Sequence, residues 1–356
     1  MNNPHENDEK LPYITIVIPT YNEEKNIRRC LNSILSQDYP LDLVEIIIVD
    51  NISKDKTVEI VRSYMKKYKN IQLLFNNIAK DAEISKMIGL RHSRGTLFMY
   101  IDADIEIVGK HWLTKLVRPL IENPDIVGSF PRFIPKPNDV AIGRYLRYHP
   151  LELDPVLQFF CTEIHDTIVE DKGDYKICEF HPPKVPPIGI CLYRKDILIK
   201  TIGDRDKFMD IDVPVILSKR GYNKFAYVPS CGIYHTNIRT LRDLIKKRLR
   251  NLNRIYLPNV ETREFIYFDL HSTKDLFKII TWIIYANTFI PAFTKGLYLT
   301  IKHKDLACMY EPIVAMILTD AILLEFLRNN KGRKMIKKIL LSKVSYIKHK
   351  LKMLFR

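Results

Sequence analysis

Short apolar runs rich in β-branched residues recur along the first hundred residues, and helical hydrophobic periods separate them. The runs cover residues 14–18, 44–49, 71–75 and 96–101. Strands spaced by about thirty residues, with helices between them, join through right-handed crossovers into a parallel sheet. The pattern therefore predicts an α/β fold with a mostly parallel sheet flanked by helices.

The helices between these strands are predicted from apolar residues that recur on one face. The first helix is expected to follow Asn22, which belongs to the residue types favoured at N-caps. The second is expected over residues 57–68, with Ser53 and Asp55 capping it rather than touching a ligand.

The turn after the first predicted strand lacks the glycines of the common phosphate-binding loops. Residues 19–24 have the sequence Pro-Thr-Tyr-Asn-Glu-Glu, and neither G-x-G-x-x-G nor G-x-x-x-x-G-K-[ST] occurs in the chain. If this sheet binds a phosphate group, a metal ion is therefore expected to neutralise it.

Two carboxylates, Asp102 and Asp104, follow the fourth apolar run with one residue between them. Ligands bind beyond the carboxyl ends of the strands in open α/β sheets. Divalent cations such as Mg²⁺ or Mn²⁺ take oxygen ligands together with phosphate. The pair is thus a candidate cation site, although two solvated turn residues would give the same local pattern.

Four segments taken together resemble family 2 glycosyltransferases of the GT-A fold. They are residues 17–23, 48–57, 101–104, and 210–212 followed by Gly221-Tyr222. The resemblance extends from about Ile14 to about His235, and the order of the motifs makes it specific. It implies an enzyme that moves a sugar from a UDP- or GDP-sugar to a hydroxyl acceptor, with inversion at the anomeric carbon.

The resemblance also implies roles for individual residues. Those expected to bind the nucleotide-sugar are Pro19, Thr20, Tyr21, Glu23, Asp50, Asn51, Lys86, Asp102, Ala103 and Gly189. Those expected to bind Mg²⁺ or Mn²⁺ are Asp102, Asp104 and His235. Inverting transfer needs a general base for the acceptor proton, and the expected base is Asp210, with Asp212 as the second choice.

Three positions depart from the family pattern. Asn51 replaces the second acid of a usual Asp-Asp pair, and Met209 replaces the acid that usually precedes Asp210. Lys86 stands where an arginine usually faces the nucleotide, so the charge is kept but the bidentate fork is lost.

Several of these residues also have a purely structural interpretation. The structural alternatives are helix capping for Asn22, Glu23 and Asp210, a solvated helix position for Lys86, relief of a bulge for Gly189, and a packing role for His235.

The net charge of +15 is concentrated in the last third of the chain. A basic cluster spans residues 239–254, and no acid follows Glu325. Two apolar runs, 279–294 and 306–327, lie between these basic segments and are too short or too interrupted to predict membrane spans. They predict a helical hairpin lying on or dipping into a membrane, with a soluble helical extension as the alternative.

These features give five predicted segments. They are a polar tail (1–12), a GT-A domain (13–238), a basic helical connector (239–275), an apolar helical hairpin (276–327) and a basic amphipathic tail (328–356). The polar start carries no secretory signal, and the six cysteines have no C-x-x-C spacing, so we expect reduced thiols and the cytoplasmic face of the cell membrane. A lipid-linked acceptor, such as a polyprenyl carrier or a growing glycan, would fit that location.

Two other functions use some of the same features. A nucleotidyltransferase acting on sugar phosphates also needs a parallel sheet and paired acids, but it normally has a basic, glycine-rich loop after the first strand. A nucleic-acid-binding protein would explain the basic tail, but the aromatic residues do not alternate with basic ones as in a strand platform. Glycosyl transfer without nucleic-acid binding is therefore the favoured function.

Overall fold

The computed structural model describes residues 11–260, 262–269 and 272–337, which form two compact units. The first unit comprises the described residues up to Ile134 together with Glu163–His235. The second comprises Pro135–Thr162 and the described residues from Thr236 onward. Residues 135–162 lie inside the predicted GT-A domain but pack with the second unit, and the predicted domain boundaries stay a prediction. Most of the predicted tails, 1–12 and 328–356, lie outside the described residues.

Ten strands of the first unit form one sheet in the order β3-β2-β1-β4-β9-β6-β10-β8-β7, with β5 paired to β10. The strands are β1 (Ile14–Thr20), β2 (Val44–Asp50), β3 (Ile71–Phe75), β4 (Leu97–Tyr100), β5 (Ile105–Ile107), β6 (Gly128–Phe133), β7 (Ile168–Asp171), β8 (Lys176–Glu179), β9 (Leu192–Arg194) and β10 (Lys224–His235).

The first four strands are parallel, as predicted from the apolar runs. β1 lies between β2 and β4, with Thr20 opposite Asp50 and Val17 opposite Tyr100. Beyond β4 the sheet becomes mixed, because β9 runs antiparallel to both β4 and β6. The parallel register brings the carboxyl ends of β1, β2 and β4 to one edge of the sheet.

Helices flank the sheet in the first unit and form the second unit. They are α1 (Ile27–Leu35), α2 (Thr57–Met65), α3 (Ala82–His92), α4 (Trp112–Glu122), α5 (Ala141–Arg147), α6 (Pro155–Phe160), α7 (Lys195–Ile202), α8 (Val213–Lys219), α9 (Leu241–Asn251), α10 (Leu257–Asn259), α11 (Thr273–Asn287), α12 (Ile290–His303) and α13 (Tyr310–Arg328).

α3 lies close against β1 because a glycine removes the side chain between them. A Cβ atom on Gly89 would stand 2.4 Å from Cγ1 of Val17, well inside van der Waals contact. This close approach fixes the first turns of α3, where Glu83 and Lys86 are located, relative to the carboxyl end of β1.

In the second unit, α13 supplies core residues and also exposes apolar side chains such as Leu324 and Leu327. Val314 and Leu318 are fully buried and pack against Tyr145 and Leu244. Glu311 of the same helix is also fully buried, where it accepts a hydrogen bond from the Tyr145 hydroxyl at 2.6 Å.

The region predicted as a helical hairpin contains three helices. The first apolar run is divided between α11 and α12, whose axes differ by 73°. Phe289 at the break has a φ of +62°, and Pro291 follows in the first turn of α12. Proline has no amide hydrogen and clashes with the preceding turn, so a continuous helix cannot form here. By length and composition, the helical segment Leu306–Arg328 could cross a membrane, and so could α11 and α12 if they act together.

Candidate active site

A tight turn after β4 carries the two carboxylates of the Asp-x-Asp motif. The Ile105 amide donates to the Asp102 carbonyl at 3.0 Å, which reverses the chain into β5. β5 then pairs with the end of β10, and Ile105 lies opposite His235. As a result His235 Nε2 lies 3.3 Å from Asp104 Oδ2. The sheet register thus brings together two predicted metal ligands that are far apart in the sequence.

Negative charge accumulates around this turn. Burial raises the pKa of Asp102, and the neighbouring Asp104 carboxylate adds to the shift while Lys86 opposes it. Burial likewise raises the pKa of Glu23, with Asp104 and Asp102 acting in the same direction. A cation bound here would favour the ionised form of these acids, so the donor set fits a hard divalent ion.

The protein alone does not enclose such an ion. Among residues 11–260, 262–269 and 272–337, no three His, Cys, Asp or Glu side chains converge in a metal-binding arrangement. Mg²⁺ and Mn²⁺ commonly keep water and substrate phosphate among their ligands. The arrangement therefore fits an ion shared with a diphosphate rather than a structural metal.

Asp50 and Asn51, predicted to bind the nucleotide, are buried and hold the loops at the carboxyl edge. Asp50 accepts hydrogen bonds from the Thr20 hydroxyl at 2.9 Å and from the Ser53 amide at 2.7 Å. Asn51 donates to the Thr20 carbonyl at 3.0 Å and accepts from Ser85 at 3.0 Å. Tyr21 is 39% exposed at the same edge, where the Lys80 ammonium lies 4.7 Å from the centre of its ring.

Asn22 does not cap α1, which begins five residues later at Ile27. It adopts a left-handed conformation with a φ of +57° and links its own loop to the loop after β2. Its amide donates to Ser53 Oγ at 2.9 Å, and its side-chain oxygen accepts from the Lys54 amide at 2.8 Å. The predicted N-cap was therefore wrong, because hydrogen bonds to another loop outweigh the local capping preference.

Lys86 and Asp210 form a second cluster beside β4. The Lys86 ammonium lies 3.4 Å from Asp210 Oδ2 and 3.9 Å from the centre of the Tyr100 ring. The Tyr100 hydroxyl donates to the same Asp210 oxygen at 3.0 Å. A Cβ atom on Gly189 would stand 3.4 Å from this hydroxyl. The structure thus brings together the predicted base, the predicted donor-facing lysine and the predicted cleft glycine.

Asp210 and Asp212 precede α8, which begins at Val213. Asp212 occupies the N-cap position but makes no side-chain capping bond and is 3% exposed. Asp210 accepts from the Ile211 amide at 2.8 Å, and its side chain is 33% exposed. The position of Asp210 therefore differs from that of a helix cap and leaves part of the carboxylate accessible.

Two members of this cluster, Glu83 and Tyr100, were not predicted as site residues from the sequence. Glu83 Oε1 accepts from the Lys86 ammonium at 3.1 Å. Glu83 and Lys86 are three residues apart on α3, and side chains at this spacing on a helix lie side by side, so the ion pair could have been predicted. Tyr100 was assigned only to the apolar run of β4, although it is the strand's last residue and could have been expected to face a ligand.

Comparison with known proteins finds similarity to glycosyltransferases in part of the chain. Residues 15–166 match the model of glycosyl transferase family 2. Glycosyltransferase AglE of Haloferax volcanii is 28% identical over 172 residues, which cover 46% of this chain and 56% of that protein. Dolichyl-phosphate beta-glucosyltransferase ALG5A of Trichomonas vaginalis is 41% identical over 168 residues, covering 44% and 47%. The chain thus spans about half the length of these relatives.

A solved structure extends the likeness over most of the fold. Mannosyltransferase PcManGT from Pyrobaculum calidifontis, in complex with GDP-Man and Mn²⁺, aligns with a TM-score of 0.54 at 17% identity. The alignment covers 89% of this chain and 87% of that one. It shows the predicted GT-A architecture, a mixed sheet flanked by helices.

Proposed function

We propose that this protein moves a sugar from a nucleotide-sugar to a hydroxyl acceptor, with inversion at the anomeric carbon, since residues 15–166 match the model of glycosyl transferase family 2. One observation carries the proposal. Asp102, Asp104, His235 and Asp210 lie within one unit at the edge where the parallel strands end. An acidic turn for a cation and an accessible carboxylate are the two groups that such a reaction requires.

Asp210 is the proposed general base. It would take the proton of the acceptor hydroxyl while the acceptor oxygen bonds to the anomeric carbon. The bond from that carbon to the diphosphate oxygen breaks, and its electron pair leaves with the nucleoside diphosphate. Asp210 is favoured over Asp212 because 33% of its side chain is exposed, whereas Asp212 is 3% exposed.

Asp102, Asp104 and His235 would hold the divalent cation. When bound, Mg²⁺ or Mn²⁺ would act as a Lewis acid on the departing diphosphate. The Mn²⁺ in the PcManGT complex supports Mn²⁺ as the first ion to test. Asp102 and Asp104 would share this ion with the diphosphate of the donor. Their position would therefore determine where the diphosphate binds.

The nucleotide is proposed to bind between the loops after β1 and β2. Pro19, Thr20, Tyr21 and Glu23 would line one side, with Ala103 beside the Asp-x-Asp carboxylates. Asp50 and Asn51 are buried and fully engaged in hydrogen bonds, so we propose that they shape this pocket mainly by holding the loops. Lys86 and Gly189, which lie near Asp210 and Tyr100, are proposed to line the side of the reacting sugar.

A donor screen with detection of nucleoside diphosphate tests the activity. UDP- and GDP-sugars would be supplied with Mn²⁺ and a polyprenyl phosphate in detergent, and lipid products separated by chromatography. Inclusion of a polyprenyl phosphate is supported by the name of ALG5A, a dolichyl-phosphate glucosyltransferase. Glycosyl transfer predicts nucleoside diphosphate and a glycosylated lipid. Release of pyrophosphate would instead identify a nucleotidyltransferase, and no turnover of any donor would contradict the proposal.

The second unit is proposed to bind a membrane surface through α11 and α12. On α11, the side chains of Phe277, Ile280 and Ile284 are exposed at helical spacing. On α12, the exposed apolar side chains are Ile290, Phe293, Leu297 and Ile301. We call these seven residues the apolar face. An apolar helical surface with lysines beside it is typical of helices that lie in the membrane interface.

The helix α13 is proposed to support this surface from inside the unit rather than to cross the membrane. Its buried Glu311 lies 2.8 Å from the Lys295 ammonium of α12. Its Thr319 accepts from the Trp282 indole of α11 at 2.8 Å. These polar contacts tie α13 to both helices of the apolar face. The proposed location is the cytoplasmic face of the membrane, where the many lysines and arginines of the last third would meet anionic lipids.

A further inference from the structure

Lys86 is a buried cation shared by two carboxylates. Its side chain is 3% exposed, and its ammonium lies 3.1 Å from Glu83 Oε1 and 3.4 Å from Asp210 Oδ2. The Tyr100 ring covers it at 3.9 Å. Burial lowers the pKa of Lys86, but the carboxylates of Glu83, Asp210 and Asp102 together raise it above its ordinary value. Lys86 is therefore protonated at neutral pH.

Asp210 is held at both oxygens. Its Oδ2 accepts from the Lys86 ammonium and from the Tyr100 hydroxyl, the latter at 3.0 Å. Its Oδ1 accepts from the Ile211 amide at 2.8 Å. The carboxylate is thus fixed in orientation, while 33% of its side chain stays exposed.

Glu83 is only half engaged. Its Oε1 faces Lys86, but its Oε2 is buried and has no hydrogen-bond partner among the residues that the structure describes. Burial raises the pKa of Glu83 to about 8. The Lys86 ammonium thus faces two carboxyl groups, those of Glu83 and Asp210. When one of them is neutral, the ammonium can pair more closely with the other.

On the basis of the function proposed above, we propose that Lys86 and Glu83 are positioning residues for the general base. Lys86 keeps Asp210 ionised and oriented before the reaction. Once Asp210 has taken the acceptor proton, its charge no longer raises the pKa of Glu83, so Glu83 can lose a proton and its carboxylate then compensates the buried ammonium. The pair thus lets the base change its charge without leaving a buried cation uncompensated, which would be unfavourable.

The alternative role for Lys86 is direct contact with the donor phosphates. The two roles differ in what the loss of the lysine changes. A donor contact contributes to donor binding, so its loss raises the donor Kd. A positioning residue acts on the chemical step, so its loss lowers kcat and leaves donor binding unchanged.

The test compares Lys86→Met, Lys86→Arg, Glu83→Gln and Asp210→Asn, with kcat from sugar transfer and donor Kd from calorimetry. We expect Lys86→Met to lower kcat by about a hundredfold, the lower end for loss of general-base catalysis. Lys86→Arg should recover part of this loss because it keeps the charge. Glu83→Gln should lower kcat by less. Lys224→Met is the matched control, since Lys224 makes a surface ion pair with Asp125 at 3.1 Å.

The double variant Lys86→Met with Asp210→Asn separates positioning from general stability. If Lys86 acts through Asp210, the double variant should be no slower than Asp210→Asn alone. Additive losses, or a raised donor Kd with kcat kept, would overturn the inference. If Lys86→Met does not fold, the inference is tested with Lys86→Arg and Glu83→Gln. Wild-type kcat in both of these variants would overturn the inference. Failure of the unaltered chain to transfer any sugar would refute the proposed function itself.

Discussion

The apolar face of α11 and α12 gives the sharpest prediction for the second unit. Phe277 on α11 and Ile301 on α12 expose 71% and 70% of their surfaces. Full burial of such a side chain contributes about 1.5–3 kcal/mol, so inserting the exposed part of each into lipid should contribute about 1–2 kcal/mol. Replacing both with aspartate should remove about 3 kcal/mol of membrane affinity, which corresponds to about a hundredfold lower partitioning.

Sedimentation with phosphatidylcholine vesicles, with and without phosphatidylserine, measures this partitioning. The unaltered chain should bind best to the anionic vesicles, because each lysine or arginine near such a surface adds on the order of 1 kcal/mol. High salt should weaken binding only partly, since salt screens charges but not apolar insertion. Val169→Asp is the matched control, because Val169 is 58% exposed on β7 of the first unit.

Three results would refute this reasoning. The first is a Phe277→Asp, Ile301→Asp variant that partitions like the unaltered chain. The second is an equal loss in Val169→Asp, which would point to a nonspecific effect of added negative charge. The third is protein that resists extraction by alkaline carbonate, because only a spanning helix such as α13 would hold it in the bilayer.

The first unit yields three further predictions. Asp104→Asn should lose Mn²⁺ binding by calorimetry together with sugar transfer, and full activity in excess EDTA would contradict the metal site. Asp210→Asn should lose at least about a hundredfold in kcat while keeping its donor Kd. Wild-type kcat in Asp210→Asn, together with an inactive Asp212→Asn, would assign the general base to Asp212 instead. Gly89→Ala should destabilise the fold by about 1–3 kcal/mol in urea unfolding, because the new methyl group would clash with Val17. The further change Val17→Ala should recover part of this loss, and no recovery would contradict the clash.

The parallel half of the sheet was predictable because each strand carries its own signal. β1 and β2 are completely buried and rich in isoleucine and valine, so their apolar runs are nearly continuous. Once these strands are parallel, their carboxyl ends must share an edge, and the motif residues that follow them must meet. The location of Asp102 and Asp50 at one edge follows from this topology without any tertiary information.

The side-chain partners at that edge were not predictable in the same way. Lys86 was expected to face the nucleotide of the donor, but its nearest partners include Asp210, which lies 124 residues further along the chain. Asn22 was expected to cap a helix, but it bonds to Ser53 across two loops. In both cases a contact distant in sequence, which no local pattern reports, determines the conformation of the side chain.

Charge balance links the proposed cation to the Lys86 cluster. Glu23, Asp102 and Asp104 bring three carboxylates to the turn after β4, while Lys86 is already paired with Glu83 and Asp210. A nucleoside diphosphate would add further negative charge to this edge, and Lys86 has no spare positive charge with which to balance it. We therefore expect donor binding to depend on a divalent cation, and donor affinity should fall steeply when the ion is removed. Binding of the donor with equal affinity in EDTA would show that other cationic groups balance the diphosphate.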